Sequence, residues 1–124
     1  MQTATHLDFV SIQVLDMQKS EAFYTETLGF KKGQSPNPHA VVFDTGDGAI
    51  FAIRPPLTEL ESTAARGTGI ALWFRVPDAD ALYQQVLAKG VQILQPIEDG
   101  PFGRVFTLQD PEGYAITLHG ATEL

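Results

Sequence analysis

The chain of 124 residues has no cysteine, which removes disulfide staples, thiolate nucleophiles and zinc–thiolate sites and fits a reducing compartment. Basic residues are scarce. Eight Lys and Arg stand against fifteen Asp and Glu, for a net charge of −7. Apart from Lys31-Lys32 the cations are scattered singly, so the positive footprint that neutralises phosphates is missing and nucleic acid is not an expected partner. No apolar run is long enough to span a bilayer, and the opening stretch MQTATHLDF has neither the basic nor the apolar part of a signal peptide. No membrane partner is expected, and the expected location is the cytoplasm. Histidine is limited to His6, His39 and His119, and tryptophan to Trp73.

What the chain does have is an internal repeat. FVSIQVLDMQKSEAFYTETLGF (9–30) and ALWFRVPDADALYQQVLAKGV (71–91) share an order of apolar strand, Asp, amphipathic helix and Gly. Each copy leads to an Asp- and Gly-rich turn that re-enters an apolar strand, GDGAIFAI at 46–53 and DPEGYAITL at 110–118. Two supersecondary units built alike are implied, each with a sheet face to bury against its own helix. Units of about 55 residues would be marginal alone, so a single domain is expected in which the halves support each other.

Phe9 to Val14 alternates with the period of a half-buried strand, and Asp16 is placed to cap the next helix, which carries Ala22, Phe23 and Thr27 on one side and stops at Gly29. A loop GQSPNPHA precedes the paired strands AVVFD and AIFAI. Residues 55–68, opening on Pro55-Pro56, form the linker. In the second unit a strand at 70–76, the N-cap Asp78, a helix ending at Gly90, and strands VQIL, RVFTLQ and YAITLH follow in the same order.

Two β-α-β-β-β units with V-x-D before each helix, FYxxxLGF at Phe23–Phe30 and DPEG at Asp110–Gly113 resemble the vicinal oxygen chelate superfamily of glyoxalases, extradiol dioxygenases, fosfomycin-modifying enzymes and bleomycin-sequestering proteins. The resemblance implies an α+β fold of two tandem βαβββ modules, at about 5–54 and 69–120, whose sheets curl into a cup with the helices outside. It also implies a homodimer, the state expected of the metal-free members.

Strand parity separates core from cup independently of any family. Val10, Ile12, Val14, Phe51, Ile53, Leu72, Phe74, Val76, Ile116 and Leu118 are the expected core. The other face receives Phe9, Ser11 and Gln13; Ile50, Ala52 and Arg54; Ala71, Trp73 and Arg75; and Ala115, Thr117 and His119. Val105 and Thr107 join them, with Ala40 and Val42 in the equivalent place of the first module. Metal-dependent members similar to this chain carry ligands at the positions occupied here by Phe9, Ala52, Ala71 and Thr117. Three of these side chains have no lone pair and the fourth is an unsupported hydroxyl, so no metal and no other cofactor is expected.

Trp73 stands out, because a Trp on the polar-alternating face, flanked by Ala71 and Arg75, has no role in the helix-side core. It can form an aromatic wall for a small organic ligand, with Arg54 and Arg75 orienting it. The alternative is that it plugs the cup or lies at a subunit contact. The expected ligand-binding set is therefore Phe9, Ser11, Val42, Ala52, Arg54, Ala71, Trp73, Arg75, Val105, Thr107, Thr117 and His119. Expected function is metal-independent binding of a small molecule, as in antibiotic-sequestering proteins of the bleomycin-resistance type. The alternative is a glyoxalase- or dioxygenase-like lyase, isomerase or oxidoreductase with non-standard site residues.

Overall fold

A computed structural model of the chain describes residues 2–35, 37–60 and 65–120. Within the expected linker, residues 61–64 lie outside the described residues, as does Pro36 of the GQSPNPHA loop. The chain divides into two compact units, Met1–Leu60 and Glu61–Leu124. Among the described residues, no helix is long and apolar enough to cross a membrane.

The first unit runs β1 (Phe9–Gln13), α1 (Met17–Ala22), a π-helical turn (Phe23–Thr27), β2 (Lys31–Lys32), β3 (Val41–Asp44) and β4 (Ile50–Arg54). Its sheet has the order β1-β4-β3-β2, with β1 parallel to β4 and the other pairs antiparallel. The second unit runs β5 (Leu72–Val76), α2 (Ala79–Ala88), β6 (Ile93–Gly100), β7 (Gly103–Gln109) and β8 (Ala115–Gly120). Its order, β5-β8-β7-β6, has the same parallel pair and the same antiparallel remainder. The fold is α+β, two tandem βαβββ modules.

Both helices start where the sequence places them. Asp16 Oδ1 accepts from the Lys19 amide at 3.0 Å and Asp78 Oδ1 from the Ala81 amide at 3.0 Å, each satisfying an otherwise orphaned first-turn donor. The first helix departs from expectation after Ala22, where it widens into the π-helical turn. The widening delivers the consecutive residues Phe23 and Tyr24 to the interior together. Tyr24 is fully buried, its ring centroid 5.2–6.0 Å from those of Phe23, Phe30, Phe43 and Phe51.

The expected core divides by strand. Ile12, Val14, Phe51, Ile53, Ile116 and Leu118 are buried, whereas Val10, Leu72, Phe74 and Val76 are half-buried. For the β5 residues the reason is position: β5 is an edge strand, and α2 packs on β6, β7 and β8. The strand expected as VQIL begins later and continues to Gly100, through Pro96 and two register shifts. An edge strand tolerates a proline because its missing donor falls on the unpaired side or at an irregularity.

Arg104 of β7 ties the second helix to its hairpin. Its guanidinium meets Asp80 of α2 at 3.0 and 3.2 Å and Asp99 of β6 at 3.1 Å. These hydrogen bonds, Asp80 first, hold it above its usual pKa. In the first unit Lys32 of β2 and Glu21 of α1 form an ion pair at 2.6 Å.

Candidate functional site

The register of each sheet fixes which side chains share a face, because residues opposite one another on neighbouring strands project the same way. In the second module Phe106, edge-on to Tyr83 of α2 with centroids 5.1 Å apart, marks the helix side. The opposite face is then laid out in rows. Trp73 pairs with Thr117, and Thr117 with Thr107. Arg75 pairs with His119, and His119 with Val105. Ala71 precedes β5 and is exposed.

In the first module Phe43 and Phe51 face the helix side, and the opposite rows are Phe9–Ile50, Ser11–Ala52–Val42 and Gln13–Arg54. For the residues within the paired strands, the register groups side chains as the alternation does; Ala40 and Ala71 lie just before β3 and β5.

The two faces differ in what they leave accessible. In the first, Ala52 is 0% exposed, so no solvent-filled hollow reaches it. Arg54 donates from Nε to the Pro55 carbonyl at 3.2 Å, and Gln13 Oε1 accepts from the Leu57 amide at 2.8 Å. This end of the first face holds the segment that follows β4. Phe9 and Ser11 are exposed, and Val42 is half-buried.

The second face carries a cluster of three rings. Trp73 and His119 have centroids 5.7 Å apart, Trp73 and Phe102 6.1 Å, and Phe102 and His119 6.2 Å. Trp73 keeps 45% of its surface and Phe102 64%. Phe102 was not anticipated. It lies with Pro101 in the two-residue connection between β6 and β7, where an apolar side chain at a tip rich in Gly and Pro was the available signal. The hairpin is tight: a Cβ on Gly100 would stand 2.6 Å from Val105 Cγ1, so only glycine fits without a shift. The loop that presents Phe102 is thereby held close to the sheet.

Behind the rings, the hydroxyls of Thr107 and Thr117 share a hydrogen bond of 2.8 Å. His119 is half-buried, with Nδ1 enclosed and without a hydrogen-bond partner among the described residues. Arg75 is exposed.

The side chains of Phe9, Ala52 and Ala71 have no donor atom for a cation, and the Thr117 hydroxyl is engaged by Thr107. Nor do the described residues contain a group of three His, Asp or Glu side chains arranged to hold an ion. A hard or borderline divalent cation needs several oxygen or nitrogen ligands converging on it, so this donor set does not fit one. Three carboxylates have structural work: Asp16 and Asp78 cap helices, and Asp110 accepts from two backbone amides.

No curated protein is significantly similar to this chain in sequence. Among solved structures, it is similar to a protein of unknown function from Agrobacterium tumefaciens, with TM-score 0.77, 28% identity and 98% of each chain covered. It is also similar to TnmS3, an antibiotic binding protein from a Streptomyces species, with TM-score 0.74, 25% identity, and 98% of this chain and 100% of the other covered. A third is a member of the glyoxalase, bleomycin resistance and dioxygenase superfamily from Sphaerobacter thermophilus, with TM-score 0.71, 27% identity, and coverage of 94% and 98%. A sequence profile of that family matches residues 6–118, nearly the whole repeat, and the chain belongs to the Glyoxalase/Bleomycin resistance protein/Dioxygenase superfamily.

Proposed function

We propose that the protein binds a small organic molecule without a metal ion, on the second-module face that bears Trp73, Phe102 and His119. The observation that carries this reading is the ring cluster, with two of its members substantially open to solvent. Exposing a Trp and a Phe together costs hydrophobic free energy that a flat ligand recovers by covering them. The similarity to TnmS3, an antibiotic binding protein, supports a sequestering or carrying role for this chain as well.

Trp73 is the only Trp in the chain, so its fluorescence reports this face alone. A screen of aromatic antibiotics and small aromatic compounds is expected to find one that shifts or quenches it saturably. Trp73→Ala should weaken that compound by about 1–3 kcal/mol, the scale of a lost aromatic anchor, when measured by calorimetry. A variant that melts early yet binds normally would show Trp73 to be packing only and would remove the site assignment.

Metal independence is a separate expectation. Dialysed protein should carry no stoichiometric nickel, zinc, manganese or iron by elemental analysis, and excess metal should leave its melting temperature unchanged. A native-state site filled at 100 times its Kd would add about 2.7 kcal/mol. About one ion per chain with a matching stabilisation would refute metal-free binding.

The homodimer belongs to the same reading. β1 and β2, and β5 and β6, end their sheets, and edge strands of this kind are commonly closed by a symmetric partner. Light scattering is expected to give twice the 13.5 kDa chain mass; the mass of one chain at all concentrations would exclude it.

A further inference from the structure

Resting on the binding reading above, we infer that the ligand is a planar aromatic acid, its ring against Trp73 and Phe102 and its carboxylate on Arg75 and His119. Arg75 and His119 are register partners on adjacent parallel strands, about 4.8 Å apart across the sheet and projecting from one face.

The polar groups beside the rings are donors. Among the described residues, Arg75 has no carboxylate within ion-pairing distance, whereas Arg104 engages two. In a chain with fifteen acidic residues to eight basic ones, a guanidinium on the face of the exposed rings with no ion-pair partner among the described residues suits an anionic ligand. A guanidinium presents a planar fork that matches a carboxylate in two parallel hydrogen bonds.

His119 adds a second donor. Its Nδ1 is enclosed and unpartnered, and a buried N–H without an acceptor is less tolerable than a buried lone pair without a donor. With Nδ1 enclosed, Nε2 is the nitrogen left to meet solvent or ligand. The one carboxylate on this row, Glu98, lies beyond Val105 and is engaged by the Gln95 amide at 3.3 Å. That places it two strand spacings from His119, too far to occupy Arg75 itself.

The ring requirement follows from the three mutual centroid distances of 5.7–6.2 Å. An aromatic group covering the exposed Trp73 and Phe102 would lie beside the Arg75–His119 row, which neighbours the Trp73–Thr117 row on the same face. The chain's negative charge slows the approach of such an anion, while the local donors set its residence.

The test compares three probes of one shape by calorimetry at pH 7: 2-naphthoate, 2-naphthamide and 2-naphthylmethylammonium. The acid should bind at least about tenfold more tightly than the amide, and the ammonium should be weakest. Arg75→Gln should erase the preference for the acid, and Arg75→Lys should restore part of it, because a lysine keeps the charge without the fork. His119→Phe, which keeps a ring in the cluster, should reduce the preference by a smaller factor. Melting temperatures of the variants confirm that they are folded. If the amide or the ammonium binds wild type as tightly as the acid, the acid assignment fails and the aromatic site stands. An acid preference that survives Arg75→Gln and His119→Phe overturns the anchor. If none of the three probes binds and Trp73 fluorescence does not respond, the binding reading falls together with this inference.

Discussion

Tyr24→Ala is expected to destabilise the protein by about 3–5 kcal/mol, the range for removing a large aromatic side chain from a packed interior. Tyr24 is fully buried at the centre of four other rings, and the π-helical turn that carries it cannot collapse into the space without losing Phe23 as well. Net stabilities of small domains are only about 5–15 kcal/mol, so the variant should approach half-unfolding at modest urea concentrations. Tyr24→Phe keeps the ring and should cost far less. Urea unfolding followed by circular dichroism gives the difference directly, and a loss below about 1 kcal/mol for the alanine variant would contradict a tightly packed ring cluster. Trp73 lies in the second module, so its fluorescence in the same titration tests whether the modules unfold together.

Asp110→Ala should cost roughly 2–5 kcal/mol, from two amides each left without an acceptor. Asp110 is 4% exposed, and its Oδ1 accepts from the amides of Glu112 at 2.9 Å and Tyr114 at 2.8 Å. The turn it organises places Gly113 at φ 97°, a left-handed conformation that favours glycine. Asp110→Asn retains an acceptor oxygen and should recover much of the loss. The corresponding turn of the first module supplies an internal control. There Asp44 Oδ1 accepts, among the described residues, only from the Gly46 amide, at 2.9 Å, and the residue is exposed. Asp44→Ala should change stability by less than about 1 kcal/mol, and equal effects at the two turns would refute the argument from burial.

The parts of this structure that were legible in the sequence are those governed by short-range periodicity. A period of two assigns Trp73, Arg75, Thr117 and His119 to one face, because a strand leaves no other choice. Asp16 and Asp78 were legible as caps because the cap chemistry is local. The strand at Lys31–Lys32 was not located, since two lysines carry no apolar alternation and are held by pairing with Phe43 and Asp44. The π-helical turn was missed for a related reason: Ala22, Phe23 and Thr27 also suit an ordinary helix, and the widening answers to rings brought from β3 and β4. Phe102 escaped because a turn residue has no parity, and its direction depends on how the hairpin closes. The enclosure of Ala52 and the engagement of Arg54 by the Pro55 carbonyl are likewise tertiary facts.

The matching registers of the two sheets make the molecule its own comparison. Position by position, Ser11 corresponds to Trp73, Ala52 to Thr117, Val42 to Thr107, Gln13 to Arg75 and Arg54 to His119. One copy has used these places to fasten a connecting segment, and the other holds its rings and charge in the open. A duplicated scaffold of this kind can acquire a new ligand by changing side chains in one copy while the other keeps the chain anchored. Its chemistry is therefore set by the differences between its halves, and its architecture by what they share.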